Sequence, residues 1–105
     1  MLRIYPVILE TLRRMRPVIA EVERCDADLA RQLRRAAASV ALNVAEGMYS
    51  RGKNRPARYH SAMGSARETL ACLEVADALH GVAVDATLRR DLDVILGTLV
   101  RLVRV

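Results

Sequence analysis

The sequence predicts an all-α protein built as an antiparallel up-and-down four-helix bundle. Apolar residues recur at helical spacing in four successive segments, and no alternating pattern longer than a few residues indicates a strand. The apolar content is mainly Ala, Leu and Val, without Phe or Trp, which suits closely packed helices. The connections between the segments are short, and short connections favour neighbouring helices that alternate in direction.

The first helix is predicted from Tyr5 to the stop before Asp26. Its apolar stripe consists of Ile8, Leu9, Leu12, Met15, Ile19 and Val22. Pro17 falls inside this pattern, and a kink is expected there because proline removes one backbone hydrogen bond. The stripe keeps its phase across Pro17, so one bent helix is favoured over two separate helices.

The second helix is predicted to begin after Asp26, a good N-cap residue, and to end at Gly47 as its C-cap. Its apolar positions are Leu29, Leu33, Ala36, Val40, Val44 and Met48. Small residues crowd the segment 36–45, which lets a neighbouring helix approach closely.

The third helix is predicted to begin at Pro56, with Asn54 as a candidate cap, and to end at Gly81. Its apolar face consists of Tyr59, Ala62, Met63, Ala66, Leu70, Leu73, Ala76 and Leu79. Asp85 is the predicted cap of the fourth helix. The fourth apolar stripe consists of Leu88, Leu92, Ile95, Leu96, Leu99, Leu102 and Val103.

Length, cysteine usage and hydropathy place further bounds on the protein. The chain of 105 residues is expected to form a single domain, residues 1–105. Cys25 and Cys72 lie far apart in sequence and are expected to be reduced thiols. No apolar run approaches the ~20 residues that span a bilayer, and the N-terminus lacks a signal-peptide pattern. These features predict a cytoplasmic protein that does not contact a membrane.

The segment EGMYSRGKNR, residues 46–55, nearly matches the phosphate-binding loop G-x-x-x-x-G-K-[ST] of nucleotide hydrolases. Asn54 stands where that loop needs a hydroxyl for magnesium, and a predicted helix precedes the segment instead of a buried strand. Nucleotide hydrolysis is therefore excluded. The segment is predicted to be a basic connection between the second and third helices, in which Gly52 gives the chain room to turn.

Other catalytic and metal-binding patterns are missing from the sequence. His60 and His80 lie some five turns apart on one predicted helix and cannot share a metal ion. The Glu-x-x-His pairs of di-iron bundles are absent. A catalytic Cys-His pair is not indicated, because no histidine lies within four residues of Cys25 or Cys72. We therefore expect no enzyme, no cofactor and no metal.

The net charge of +5 is carried by sixteen Arg and one Lys. Arg51, Lys53, Arg55 and Arg58 cluster within residues 50–60, where no acidic residue occurs. Arginine's planar fork suits phosphate recognition, although a GC-rich genome also explains the preference for Arg over Lys. The cations that are candidates for phosphate contact are this cluster together with Arg31, Arg34 and Arg35.

Polar residues recur on the second and third helices where apolar residues would pack. They are Ser39, Asn43, Glu46, Gly64, Ser65 and Glu68. Because a buried amide or carboxylate must find a partner, we expect Asn43 and Glu46 to bond to the third helix across the Gly64–Ser65 gap and so fix the register of the helix pair. A ligand-binding role for this cluster is the alternative.

Two segments resemble a known family. Residues 32–47, QLRRAAASVALNVAEG, resemble the signature of the bacterial four-helix-bundle family named for proteins encoded in 23S rRNA intervening sequences. Residues 58–76, RYHSAMGSARETLACLEVA, are similar to its third-helix signature, including the Gly-Ser-x-x-Glu of Gly64, Ser65 and Glu68. The chain departs from the family in carrying Pro17 and in lacking the usual aromatic residues.

The resemblance implies a four-helix bundle and, for relatives, a ring-shaped homopentamer. The family also includes the accessory variability determinant proteins of diversity-generating retroelements, which bind nucleic acid and a reverse transcriptase through a basic surface. No catalytic residues follow from this resemblance.

The first functional interpretation is a non-enzymatic oligomer that binds the phosphate backbone of RNA or DNA. The chain has only three Tyr, so base stacking is expected to contribute little and sequence preference to be weak. The second is a protein–protein scaffold that docks a partner such as a reverse transcriptase. A third is a small regulatory bundle, for example of a toxin–antitoxin pair.

Overall fold

A computed structural model of the chain describes residues 2–104 and shows an all-α architecture. The helices are α1 (Ile4–Cys25), α2 (Ala27–Tyr49), α3 (Asn54–His80) and α4 (Ala86–Arg104). No strand occurs within the described residues. The four predicted helices are therefore confirmed, and their apolar stripes meet in one shared core. The exception is Leu79 of the third stripe, which is 69% exposed and lies outside the core.

Helix α1 is a single helix, as predicted, and Pro17 lies exposed within it. The stripe residues Ile8, Met15 and Val22 are each at most 1% exposed. Burial of such aliphatic side chains is the main stabilising contribution in a bundle, about 1.5–3 kcal/mol for each. The hydrophobic face of α1 thus continues on both sides of the proline.

Asp26 alone connects α1 to α2, and both of its backbone neighbours are helical. Its backbone N–H donates to the carbonyl of Val22 at 2.7 Å, which closes the last turn of α1. Its carboxylate accepts a hydrogen bond from the backbone N–H of Leu29 at 3.0 Å. The predicted N-cap of α2 is therefore confirmed.

The prediction that Gly47 is the C-cap of α2 is wrong. Gly47 lies buried inside the last turn, and the helix continues to Tyr49 with Ser50 as its C-cap. The glycine is required for packing, because a Cβ atom there would lie 2.4 Å from Cε1 of Tyr59. A bare backbone at Gly47 lets the Tyr59 ring of α3 lie directly against α2.

The start of α3 also differs from the prediction. The helix begins at Asn54 and Lys53 is its N-cap position, without a side-chain capping bond. The helix therefore begins two residues earlier than the predicted start at Pro56, and both Asn54 and Pro56 lie in its first turn. Gly52 has a φ of 60°, so the turn needs its left-handed conformation as predicted.

The other predicted caps are confirmed. Gly81 ends α3 in the left-handed region with φ 66° and ψ 23°. The carboxylate of Asp85 accepts a hydrogen bond from the backbone N–H of Thr87 at 2.9 Å at the start of α4. Both cysteines are free thiols, Cys25 exposed and Cys72 buried.

The helices pack around the core in chain order. The contact between α2 and α3 is the most extensive, followed by α1 with α2, α3 with α4, and α1 with α4. Helices α1 and α3 touch only slightly, and α2 and α4 share no close contact within the described residues. Helices α2 and α4 therefore occupy one diagonal of the bundle.

The hydroxyl groups of two buried threonines form hydrogen bonds within their own helices. Thr11 donates its hydroxyl hydrogen to the carbonyl of Val7, and Thr69 donates to that of Ser65, both at 2.8 Å. Among the described residues, no buried side-chain nitrogen or oxygen lacks a hydrogen-bond partner. The core therefore holds no unsatisfied polar side chain that a ligand would have to complete.

Candidate nucleic-acid interface

One end of the bundle is formed by the α2–α3 connection, the start of α1 and the end of α4. The backbone N–H of Leu2 lies 3.4 Å from Sδ of Met48 near the end of α2. Leu2 and Leu102 line a shallow hollow together with Arg55 and Tyr59 of α3. Three chain segments that are far apart in sequence therefore meet at this end.

The charge of the protein is divided between the two ends. With the alternating helix directions that the sequence predicts, and each helix cut at its midpoint, residues 2–14, 38–66 and 96–104 form the half that contains the α2–α3 connection. This half holds nine Arg and Lys against two Glu, a side-chain charge of +7. The opposite half, residues 15–37 and 67–95, holds eight Arg against ten Asp and Glu, a charge of −2. The excess positive charge is therefore confined to one end.

We use the name basic end for this end of the bundle together with its exposed cations. Its members are Arg3, Arg51, Lys53, Arg55, Arg58, Arg101 and Arg104. None of them forms an ion pair with a carboxylate within residues 2–104, whereas Arg13 and Arg14 of the same half pair with Glu10 and Asp91. The unpaired cations are therefore free to meet the phosphates of a ligand.

The helix termini at the basic end contribute partial charges of both signs. Helices α1 and α3 both begin there, and neither carries an acidic residue in its first turn. Each N-terminus contributes roughly half an elementary positive charge from its aligned peptide dipoles. Arg101 and Arg104 lie in the last turn of α4, where they offset the negative end of that helix. Helix α2 also ends there, without a basic residue in its last turn, so the helix dipoles largely cancel and the positive field of the connection comes from its cations.

The α2–α3 connection is short and held by backbone acceptors. The Ser50 hydroxyl donates to the carbonyl of Glu46 at 2.7 Å, and Nε of Arg55 donates to the carbonyl of Ser50 at 3.1 Å. The Arg55 guanidinium uses only its Nε in this bond, so its two Nη groups remain available as the fork that binds phosphate.

The buried side chain of Tyr59 packs against the end of α2 next to the connection. Its side chain is 4% exposed and its ring lies against Gly47. Burial raises the pKa of the Tyr59 phenol, and the nearby Arg55 guanidinium opposes this shift. The phenol therefore stays neutral at physiological pH and acts as a packing group, which fixes the last turn of α2 relative to α3.

The structure brings together Arg51, Lys53, Arg55 and Arg58 but not the other three predicted contacts. Arg31, Arg34 and Arg35 lie in the opposite half of the bundle, and Arg35 is ~21 Å from Tyr49 along α2 at 1.5 Å per residue. Arg31 pairs with Asp28 at 3.0 Å and Arg34 with Glu23 at 2.9 Å. Sequence analysis also missed Arg3, Arg101 and Arg104, which join the basic end only through the fold.

The predicted polar cluster does connect α2 with α3, but through Ser39 instead of Asn43 and Glu46. The hydroxyl of Ser65 donates to the hydroxyl oxygen of Ser39 at 2.8 Å across the helix pair. Asn43 donates within its own helix to the carbonyl and hydroxyl oxygens of Ser39, at 3.0 and 2.9 Å. Glu46 is exposed and its carboxylate makes no hydrogen bond among the described residues. The expectation that Asn43 and Glu46 bond to α3 is therefore wrong, because Ser39 makes the bond.

Gly64 and Glu68 border the same region of the helix pair. A Cβ atom at Gly64 would meet no atom within 4 Å, so its helix surface is open. Glu68 and Arg35 line a polar groove of about 560 Å³ whose floor includes Ser39 and Ser65. The groove lies away from the basic end.

The opposite end carries a histidine–carboxylate pair. Nε2 of His80, the last residue of α3, lies 2.9 Å from Oδ2 of Asp26, the N-cap of α2. The Leu29 N–H bond and, after it, the bond to His80 lower the pKa of the Asp26 carboxyl. This end is therefore joined by polar contacts, whereas the basic end leaves its charges unpaired.

Two further kinds of feature do not occur in the described part of the chain. No three or more His, Cys, Asp or Glu residues lie close enough together there to hold a metal ion. No helix is long and apolar enough to cross a membrane.

The fold and the basic end define a small all-α bundle protein with one strongly cationic end. Residues 13–97 match the model of the family described as 23S rRNA-intervening sequence protein, and the chain belongs to that family. Both signature segments, 32–47 and 58–76, lie within the match. Comparisons with curated proteins and with solved structures gave no match. The relation to accessory variability determinant proteins stays a prediction.

Proposed function

We propose that this protein is a non-enzymatic nucleic-acid-binding protein that holds the phosphate backbone of RNA at its basic end. The observation that supports this proposal is the division of charge, +7 in one half of the bundle and −2 in the other. The description of the family refers to 23S rRNA, in whose intervening sequences its members are encoded, and RNA is therefore the first polyanion to test.

The expected binding energy comes largely from the release of counterions. A protein that neutralises phosphates loses affinity as salt rises, with a slope of about −0.7 per phosphate for single strands. Four contacts from Arg51, Lys53, Arg55 and Arg58 would give a slope of about −3, and all seven cations of the basic end about −5. Such binding is steep in salt and nearly independent of sequence.

A pair of charge-matched variants tests where the RNA binds. Arg51→Ala with Lys53→Ala removes two charges from the basic end, and Arg31→Ala with Arg34→Ala removes two from the opposite half. Both variants carry a net charge of +3 instead of +5. We expect only the first to weaken RNA binding in a filter-binding titration, and to reduce the salt slope by roughly 1.4.

Equal losses in the two variants would show that net charge, and not the basic end, determines binding. Absence of RNA binding by the unaltered protein at low salt would refute the proposed function. That result would favour the scaffold function instead, in which the basic end docks an acidic protein partner such as a reverse transcriptase.

The proposal extends to a homo-oligomer, for which the family resemblance implies a pentamer. This extension rests on the family resemblance alone, because single exposed apolar side chains such as Leu42 are normal on a monomer surface. Several copies would repeat the basic end along one polynucleotide and raise affinity through avidity. Light scattering measures the number of subunits.

The helix directions assumed here follow the sequence prediction of an antiparallel, up-and-down bundle with a bend in α1 at Pro17. Support comes from contacts between opposite chain ends, namely Leu2 with Met48 and Asp26 with His80. In such a course, α1 and α3 begin at the basic end, while α2 and α4 end there.

A further inference from the structure

Tyr49 is an exposed aromatic residue beside the basic end. It is the last residue of α2 and its exposure is 84%, the highest among the exposed large hydrophobic residues. Arg51 and Lys53 follow within four residues, and both are exposed. Of the other two tyrosines, Tyr59 is buried and Tyr5 is half-buried, so Tyr49 alone offers an open ring face in residues 2–104.

The backbone that carries Tyr49 is fixed on both sides. The Tyr59 ring packs on Gly47, two residues before it, which holds the last turn of α2 against α3. The backbone N–H of Ser50, the next residue, donates to the carbonyl of Gly47 at 3.3 Å. The Ser50 carbonyl accepts from Nε of Arg55 at 3.1 Å, which brings a guanidinium to the neighbouring residue. An exposed ring on such a backbone loses little conformational freedom when a base stacks on it.

We propose that the basic end selects unpaired nucleic-acid strands, with Tyr49 stacking on a base while the surrounding cations hold the adjacent phosphates. The inference rests on the proposed function and names its substrate class. Cationic grooves combined with open aromatic faces are the recurrent means of binding single strands. A duplex keeps its bases stacked on one another and offers no free base face to Tyr49.

Tyr49 and the surrounding cations favour different forms of nucleic acid. Duplex nucleic acid has the higher charge density, one phosphate per about 1.7 Å of axis, so cations alone favour a duplex over a single strand. A ring that stacks on a base reverses this preference. It also leaves sequence preference weak, because every base has a face on which a ring can stack. The sequence expectation that stacking contributes little is thus replaced by one specific contact.

The test compares one unstructured RNA strand of about 12 nucleotides with the duplex that it forms with its complement. We expect the unaltered protein to bind the strand more tightly than the duplex. Tyr49→Ala should weaken binding of the strand by roughly 5- to 100-fold, with the salt slope and the duplex affinity unchanged. Tyr49→Phe keeps the ring and should bind like the unaltered protein. Leu79→Ala removes an exposed apolar side chain near the opposite end of α3 and serves as the matched control.

A fluorescent variant tests the contact directly. The chain contains no Trp, so Tyr49→Trp introduces a single indole at the proposed stacking position. Its emission should be quenched on addition of the strand and should change little on addition of the duplex.

Several outcomes would overturn the inference while leaving the proposed function intact. One is tighter binding of the unaltered protein to the duplex than to the strand. Another is an equal loss of affinity for strand and duplex in Tyr49→Ala. A third is indole emission that does not change when the strand is added. A smaller mass of Tyr49→Ala in light scattering would assign the ring to a subunit contact and would also overturn it. If the unaltered protein binds neither RNA, the proposed function itself fails.

Discussion

Gly47 and Gly64 provide a prediction in which the same substitution has opposite effects. Both glycines lie inside helices, where alanine is preferred over glycine by about 1 kcal/mol. A Cβ atom at Gly64 meets nothing within 4 Å, so Gly64→Ala should stabilise the protein by about 0.5–1 kcal/mol. A Cβ atom at Gly47 would lie 2.4, 2.8 and 3.0 Å from three ring atoms of the buried Tyr59.

The cost at Gly47 follows from how far the ring would have to move. Inserting a methyl group into a packed site costs about 1–3 kcal/mol, and three contacts with a rigid, buried ring place Gly47→Ala in the upper part of that range. After the helical preference for alanine is subtracted, Gly47→Ala should destabilise the protein by about 1–2 kcal/mol. The two variants should therefore differ by about 1.5–3 kcal/mol, or roughly 7–14 °C in melting temperature.

Thermal and urea unfolding, followed by circular dichroism at one protein concentration, measure this difference. Gly47→Ala combined with Tyr59→Leu removes the ring that the methyl group meets, so the cost of Gly47→Ala should largely disappear in that background. If Gly47→Ala is as stable as the unaltered protein, the close packing of Tyr59 on α2 is refuted. A destabilised Gly64→Ala would show instead that this surface is covered by a partner subunit.

Three further predictions concern hydrogen bonds and pH. Ser65→Ala removes the hydroxyl bond to Ser39 and should lower the free energy of unfolding by about 1 kcal/mol in urea titrations, whereas a gain would contradict a stabilising bond between α2 and α3. Thr69→Val replaces a hydroxyl that bonds only within its own helix, and its stability should stay within about 1 kcal/mol of the unaltered protein. The pKa of the Asp26 carboxyl is lowered from 3.8, so its contribution to stability is present above that value and is lost as pH falls through the folded pKa. Asp26→Asn retains an acceptor for Leu29 and should flatten the acid unfolding curve. An unchanged curve would show that other carboxylates determine acid unfolding.

Helix boundaries marked by local chemistry could be predicted from the sequence. Asp26 and Asp85 accept hydrogen bonds from the first backbone N–H groups of their helices, and Gly81 takes up the left-handed conformation. Gly47 was misassigned because a glycine near the end of a helical pattern is typical both of a C-cap and of close packing. Only the position of Tyr59, which is twelve residues away in sequence, distinguishes the two.

The candidate site could be predicted in part, because local charge clusters are visible in a sequence and ion pairs between helices are not. Arg51 and Lys53 stand in a segment without acidic residues, and the fold leaves them unpaired. Arg34 has the same chemistry, but the fold pairs it with Glu23 of α1. Tyr49 was missed because the sequence shows how many aromatic residues the chain has, whereas only the fold shows which ring is exposed.

The unequal packing of the four helices has a consequence for how the protein opens. Helices α2 and α3 share the largest contact, whereas α1 and α4 each rest on smaller ones. Segments with fewer packed neighbours open at lower free energy, so backbone amides of α1 and α4 should exchange their hydrogens with solvent before those in the middle of α2 and α3. The connection with Arg51, Lys53 and Arg55 belongs to the slower-opening pair. Part of the proposed RNA-binding surface should therefore stay folded when α1 or α4 opens.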